Sequence, residues 1–245
     1  MARPAAAAFA AGCIATLGLV ASAFAAMSPD MNAPPVPWKD TGAKPVVQLD
    51  AQKHPTQIAL IIPAALIDAL PKQRSEAVYP VAGGGLVRTA NLQWHPVGHE
   101  PEHVYDMPHF DVHFYTITEA VRGGIVPNAP MGKVLPPKRI LPPNSMLAPG
   151  FVPGMGMHVI GKVQPEMHRG GKFTVSPIIG YWNGDLAFFE VMFSKAWLAG
   201  KTSKTGAFPQ PASVKQHGYY PTKFSVTYDA PENEYEVAIS DFIKR

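Results

Sequence analysis

Cysteine is almost missing from this chain: Cys13 is the single one, and it stands inside an apolar amino-terminal stretch. With that stretch removed, the remainder has no disulfide and no thiolate chemistry, so any metal must be held by His, Asp or Glu. Charge is scarce as well, at 16% charged residues and a formal net charge of +3. No run of Lys or Arg exceeds two residues, which leaves no electrostatic footprint for nucleic acid. The thin charge, together with 27 prolines and 21 glycines, disfavours a helical bundle or coiled coil, which are built from Ala, Glu, Lys, Leu and Arg. There is no internal repeat. What remains is enough chain for one substantial core, and the expected class is mainly β: an antiparallel barrel or sandwich with few short helices and a long proline-rich loop.

The first 25 residues carry Arg3 as their only charge, then an alanine-rich apolar stretch over 5–20, then Ala23-Phe24-Ala25. This is the charged start, apolar core and small-x-small cleavage site of an export signal, with cleavage expected after Ala25. An uncleaved membrane anchor is the alternative, because residues 5–26 just reach the roughly 20 residues needed to span a bilayer. Lipidation at Cys13 is disfavoured, since the apolar run continues through Ile14 and Leu17. The expected location is therefore periplasmic or secreted, with the membrane met only through the export signal. Residues 26–44 have too little periodic apolar content to order themselves and read as a flexible arm, leaving 45–245 as one β-rich domain.

Within that domain, strand patterns are expected at 57–62, 85–95, 110–118, 157–163, 174–182, 186–194, 222–228 and 235–243. Pro63 opens a short helical piece over 64–70. Trp182-Asn183-Gly184-Asp185 sets Asn-Gly between two β-type runs, a strong hairpin signal. Residues 229–234 join the last two runs into a second hairpin. The stretch 123–154 is rich in proline and nearly aperiodic, and reads as a long ordered loop.

Five of the nine histidines fall within residues 94–115. The string His99-Glu100-Pro101-Glu102-His103 matches the H-E-x-x-H pattern of zinc proteases. That motif works only on a helix, and Pro101 forbids one there. In His109 to Tyr115, by contrast, Phe110, Val112 and Phe114 alternate with His109, Asp111, His113 and Tyr115, giving a strand with one aromatic and one metal-capable face. Residues i and i+2 lie roughly 6.6 Å apart and can share an ion, whereas i and i+4 on a straight strand cannot. His158, at the start of a strand, and Glu190, inside a strongly apolar run, are the expected partners from elsewhere. The candidate ligands of a divalent ion, zinc among the candidates, are thus His109, Asp111, His113, His158 and Glu190. His99, His103 and Tyr115 are assigned to supporting them. The competing reading for each is structural: His158 bonding a carbonyl, or Glu190 pairing with an Arg or facing solvent on an edge strand.

The strings Gly98-His99-Glu100-Pro101, Pro108-His109-Phe110-Asp111-Val112-His113-Phe114-Tyr115, Met155-Gly156-Met157-His158 and Gly180-Tyr181-Trp182-Asn183-Gly184, with Glu190, resemble a bacterial family of secreted proteins classed as a domain of unknown function. That family is typified by a thermophile protein controlled by an extracytoplasmic-stress sigma factor. The resemblance spans roughly 57–198 and implies an extracytoplasmic β-rich domain with a histidine-rich site, in a ring-like homo-oligomer. It implies no reaction. A weaker similarity is to cupins, whose site combines H-x-H, a Glu and a later His; here Asp111-x-His113 replaces the first element.

Three functions follow as expectations. The first is an extracytoplasmic, β-barrel-like metal-binding protein with a stress-linked or sequestering role. The second is a metal-dependent hydrolase, lyase or oxygenase. The third is a metal-free lipocalin-like carrier of a small ligand, in which Trp182, Phe188 and Phe193 line a cavity. Four saturating ligands would favour binding, and three beneath an apolar pocket would favour catalysis.

Overall fold

The computed structural model describes Met31 and residues 33–245. The expected export signal lies outside the described residues. Among them, no helix is long and apolar enough to cross a membrane.

Among the described residues, thirteen strands form two open sheets that pack face to face. The larger has eight: β1 (Val36–Pro37), β4 (Ser75–Pro80), β5 (Thr89–His95), β6 (His109–Tyr115), β7 (Ser145–Leu147), β8 (Met157–Gly161), β9 (Val175–Trp182) and β10 (Asp185–Ser194), in the order β1-β4-β5-β6-β10-β9-β8-β7. The smaller has β2 (Lys44–Leu49), β3 (Pro55–Pro63), β11 (Lys204–Ala207), β12 (Tyr219–Asp229) and β13 (Glu234–Lys244), in the order β11-β12-β13-β3-β2. Pairing is antiparallel throughout except between β1 and β4. Two short helices lie among the residues described from 33 onward, α1 (Glu119–Gly123) and α2 (Lys195–Leu198). The arrangement is sandwich-like. It corrects the barrel alternative, because neither sheet closes on itself.

Period-2 alternation explains which faces meet. Leu92 and Trp94 of β5, Phe110, Val112 and Phe114 of β6, and Phe189, Val191 and Phe193 of β10 point toward the smaller sheet. There they meet Ile58, Leu60, Phe224, Val226, Val237 and Ile239 in the main core. The opposite face of the larger sheet carries the polar members of the same strands, yet it too is buried: every residue of β5 and β6 is. A second apolar cluster covers it, in which Tyr105, Ile125, Met155 and Phe173 of the segments 96–108, 116–156 and 164–173 pack on Ile178, Trp182, Phe188 and Met192 of the sheet. Arg122 of α1 fastens this cover with a two-pronged pair of bonds to Glu76 of β4, both 2.9 Å.

Asn183 and Gly184 have φ of 49° and 70°, as a type I′ turn requires, and they join β9 to β10. The 64–70 helical piece is a 3-10 turn over Ala64–Asp68. From Ala33 onward the amino-terminal arm is laid against the larger sheet: Val36 and Pro37 pair with Ser75 and Glu76, and the Arg74 guanidinium donates to the Ala33 carbonyl at 3.0 Å. Phe188 and Phe193 fall on opposite faces of β10, Phe193 in the main core and Phe188 with Trp182 in the second cluster. That corrects the carrier's expected cavity, which needed all three side chains on one wall.

Candidate metal centre

Register assembles the site on the buried polar face. His95, Gln93 and Asn91 of β5 stand opposite His109, Asp111 and His113 of β6, and His113 stands opposite Glu190 of β10. His158 of β8 is opposite Gly180 of β9, which in turn is opposite Phe188. A Cβ on Gly180 would lie 1.9 Å from the Phe188 ring, so only glycine lets that ring lie there. The ring then packs against both His113 and His158, with centroids 4.9 and 5.2 Å away. His99 arrives from the loop 96–108. Gly98, at φ 75°, permits this, because a Cβ there would meet the Tyr105 carbonyl oxygen at 2.2 Å.

Two donor groups result: His95, His99, His109 and Asp111, and next to it His113, His158 and Glu190, with the ligand atoms of each within 4.8 Å of one another. In the first, Nε2 of His95, His99 and His109 lie 3.0, 3.5 and 3.3 Å from the Asp111 carboxylate oxygens. In the second, Nε2 of His113 and His158 lie 3.4 and 3.7 Å from those of Glu190. Donors held at 2.0–2.2 Å from a tetrahedral ion are separated by roughly 3.4 Å. Both groups bracket that spacing.

Hydrogen bonds fix the ring orientations in the first group. The Nδ1 atoms of His99 and His109 donate to the carbonyls of Glu100 and Met107, both at 2.7 Å, the usual outer bond of a metal-ligating histidine. A neutral ring so anchored turns a bare lone pair outward at Nε2. Burial drives the pKa of His109 down to about 3 against the pull of Asp111, which favours the neutral ring. In that form its Nε2 lone pair faces an Asp111 oxygen at 3.3 Å, and both atoms lack a hydrogen-bond partner. Burial opposes the charge on Asp111, but the imidazoles of His109, His95 and His99 outweigh it and hold the carboxyl well below the usual range.

In the second group neither nitrogen of His113 has a hydrogen-bond partner, nor does Oε2 of Glu190. Burial lowers His113 well below its ordinary value and brings His158 to about 4. Burial and the charge of Asp111 raise Glu190 well above its ordinary value. β10 is a central strand, and Glu190 meets the two imidazoles, with neither the Arg nor the solvent of the structural alternative.

The sequence-predicted ligands thus divide: His109 and Asp111 belong to one group, His113, His158 and Glu190 to the other. Of the supporting residues, His99 joins the first group as a donor, and Tyr115 stacks on His113 while its hydroxyl donates to the Gly154 carbonyl at 3.3 Å. His103 does not reach the site: its side chain is 91% exposed and faces Asp106. The H-E-x-x-H string is a turn, as Pro101 demands. Sequence reasoning missed His95. The available signal was the alternation of β5, where Thr89, Asn91, Gln93 and His95 interleave with Ala90, Leu92 and Trp94 just as the polar and aromatic residues of β6 do. His54 stays apart, paired with Asp50 and stacked on Tyr219.

A small cavity of about 80 Å³ opens onto the site and touches His99, Asp111 and His158. No protein-family model, curated protein or solved structure matches the chain.

Proposed function

We propose that this is an extracytoplasmic protein that binds divalent transition-metal ions through its buried His/carboxylate groups. One observation carries the reading: the lone pair of His109 Nε2 and an oxygen of Asp111 face each other at 3.3 Å, buried and without a partner. Two acceptors turned toward each other in a low-dielectric interior are costly unless a cation lies between them. The donor set is nitrogen and oxygen only, which suits zinc, manganese, iron or nickel. Export is supported by Arg3, the apolar stretch and Ala23-x-Ala25, and by the resemblance to secreted proteins, which also supports a stress-linked role and a homo-oligomeric ring.

A metal-dependent enzyme is the second reading, favoured by the two-histidine, one-carboxylate composition of His113, His158 and Glu190, the donor set of several open catalytic centres. The deciding experiment is elemental analysis of untagged, exported protein before and after chelation, with sequencing of its amino terminus. Stoichiometric metal that leaves with the chelator, on a chain starting at Ala26 or Met27, is the expected result. Metal-free protein from metal-replete medium that also refuses added zinc, manganese, iron and nickel would refute the binding reading.

A further inference from the structure

The two donor groups are unequal. One offers four ligand residues and can saturate a tetrahedral ion; the other offers three and leaves a position open. Five of the seven donors are sealed to 2% exposure or less, and only His99 and His158, at 14% and 18%, reach solvent, both through the cavity of about 80 Å³. The rest of the cavity wall is mostly apolar, with Met31, Phe151, Ile160, Ile178 and Met192 prominent. Resting on the metal reading above, we propose that an ion held by His113, His158 and Glu190 takes a small carboxylate ligand in its open position, with the ligand's short apolar body in this cavity.

Charge and volume define that ligand. A divalent ion with one ionised Glu190 retains a net positive charge in a low-dielectric site, which an anionic head completes. The neighbouring Asp111 does not repel that head once its own group holds an ion. The apolar wall gives no return for a polar body. Its volume is about half of the roughly 150 Å³ that accommodates benzene in an engineered apolar cavity, which limits the body to about three to five carbons.

The test is cobalt(II) reconstitution of the mature chain, then titration with butyrate read in the cobalt absorption spectrum. The wild type should bind two ions and show a saturable spectral change with butyrate, and about tenfold weaker response to octanoate, whose chain exceeds the cavity. Ile178→Phe replaces no donor but fills the cavity from β9; it should keep both ions and weaken the butyrate response about tenfold or more. Met192→Phe fills the same space from β10 and serves if the first variant does not fold. His54→Ala, far from the site, should behave as wild type. Failure to bind cobalt at all would overturn the metal reading and this inference with it. Two bound ions with no butyrate response, or an undiminished response in a folded filling variant, would overturn this inference alone.

Discussion

His113 has no exposed surface, and neither of its ring nitrogens has a hydrogen-bond partner. In a sheet interior each unsatisfied group of this kind costs about 1–3 kcal/mol, whereas an apolar ring of the same shape costs nothing of the sort. In the chelated protein His113→Phe should therefore match or exceed the wild type in urea midpoint, while binding one ion fewer. A loss of more than about 3 kcal/mol in the chelated variant would instead mean that the imidazole holds the strands together. The same desolvation sets a pH dependence. Burial holds His95, His109, His113 and His158 below the ordinary imidazole value of about 6.5, His109 at about 3 and His158 at about 4, so between pH 6.5 and 4 these four rings take up more protons in the unfolded chain than in the folded one. Stability of the metal-free protein should fall as pH drops through that interval. Glu190 and Glu166 act in the opposite sense above about pH 4.5, because each keeps a proton that the unfolded chain has lost, but they are two groups against four. A melting temperature that stays flat from pH 6.5 to 4.5 after chelation would contradict the burial of these rings.

The hairpin of β9 and β10 brings Glu190 to His113, and its register depends on Asn183 and Gly184. Gly184 also faces Val134 and the Leu135 carbonyl of the covering loop, where a Cβ would sit at 3.1 and 3.3 Å. Gly184→Val should destabilise the fold by roughly 1 kcal/mol or more beyond Gly184→Asn, since Asn tolerates positive φ and a β-branched residue does not. Equal unfolding midpoints would show that the turn relaxes. This hairpin was legible because Asn-Gly acts locally. So were the strands of the central sheet, whose alternation is strong. β2 and β4 were not. β2 is an edge strand whose residues are exposed or half-buried, and β4 ends in a proline after alternating only weakly, so neither shows the apolar rhythm of a strand gripped on one face.

The polar face of the large sheet is buried only because the segments 96–108, 116–156 and 164–173 fold over it, and those segments rest on the donors as well as on the apolar cluster around Tyr105, Met155 and Phe173. Metal removal should therefore loosen the whole cover. A ligand that binds only the folded state at 100 times its dissociation constant contributes about 2.7 kcal/mol, which for a domain of this size is roughly 5–10 °C in melting temperature. Chelation should lower the melting temperature by that order and raise amide exchange in 123–154 above that in β12 and β13. Exchange that increases equally in both sheets would show that the cover and the core open together.

Period-2 alternation in β6 and β10, the Asn-Gly turn and the absence of thiol chemistry were all matters of local covalent pattern, and on them the amino-acid sequence alone determined a mainly antiparallel β protein with a His/carboxylate face. Spacing along one strand argued against His109 and His113 sharing an ion on a straight strand, yet both stayed in one candidate ligand set, which the structure divides. Pairing between strands is different in kind, because it is set by contacts between residues far apart in the chain. Only the tertiary structure placed His95 beside His109, carried His99 over Asp111 on a loop turned at Gly98, and sent His158 past the bare Gly180 toward Glu190. It also decided that the polar face is dry. Nothing in a run of prolines and glycines says which surface the run will cover, and that covering is what gathers seven potential metal donors beneath it and seals five of them from solvent.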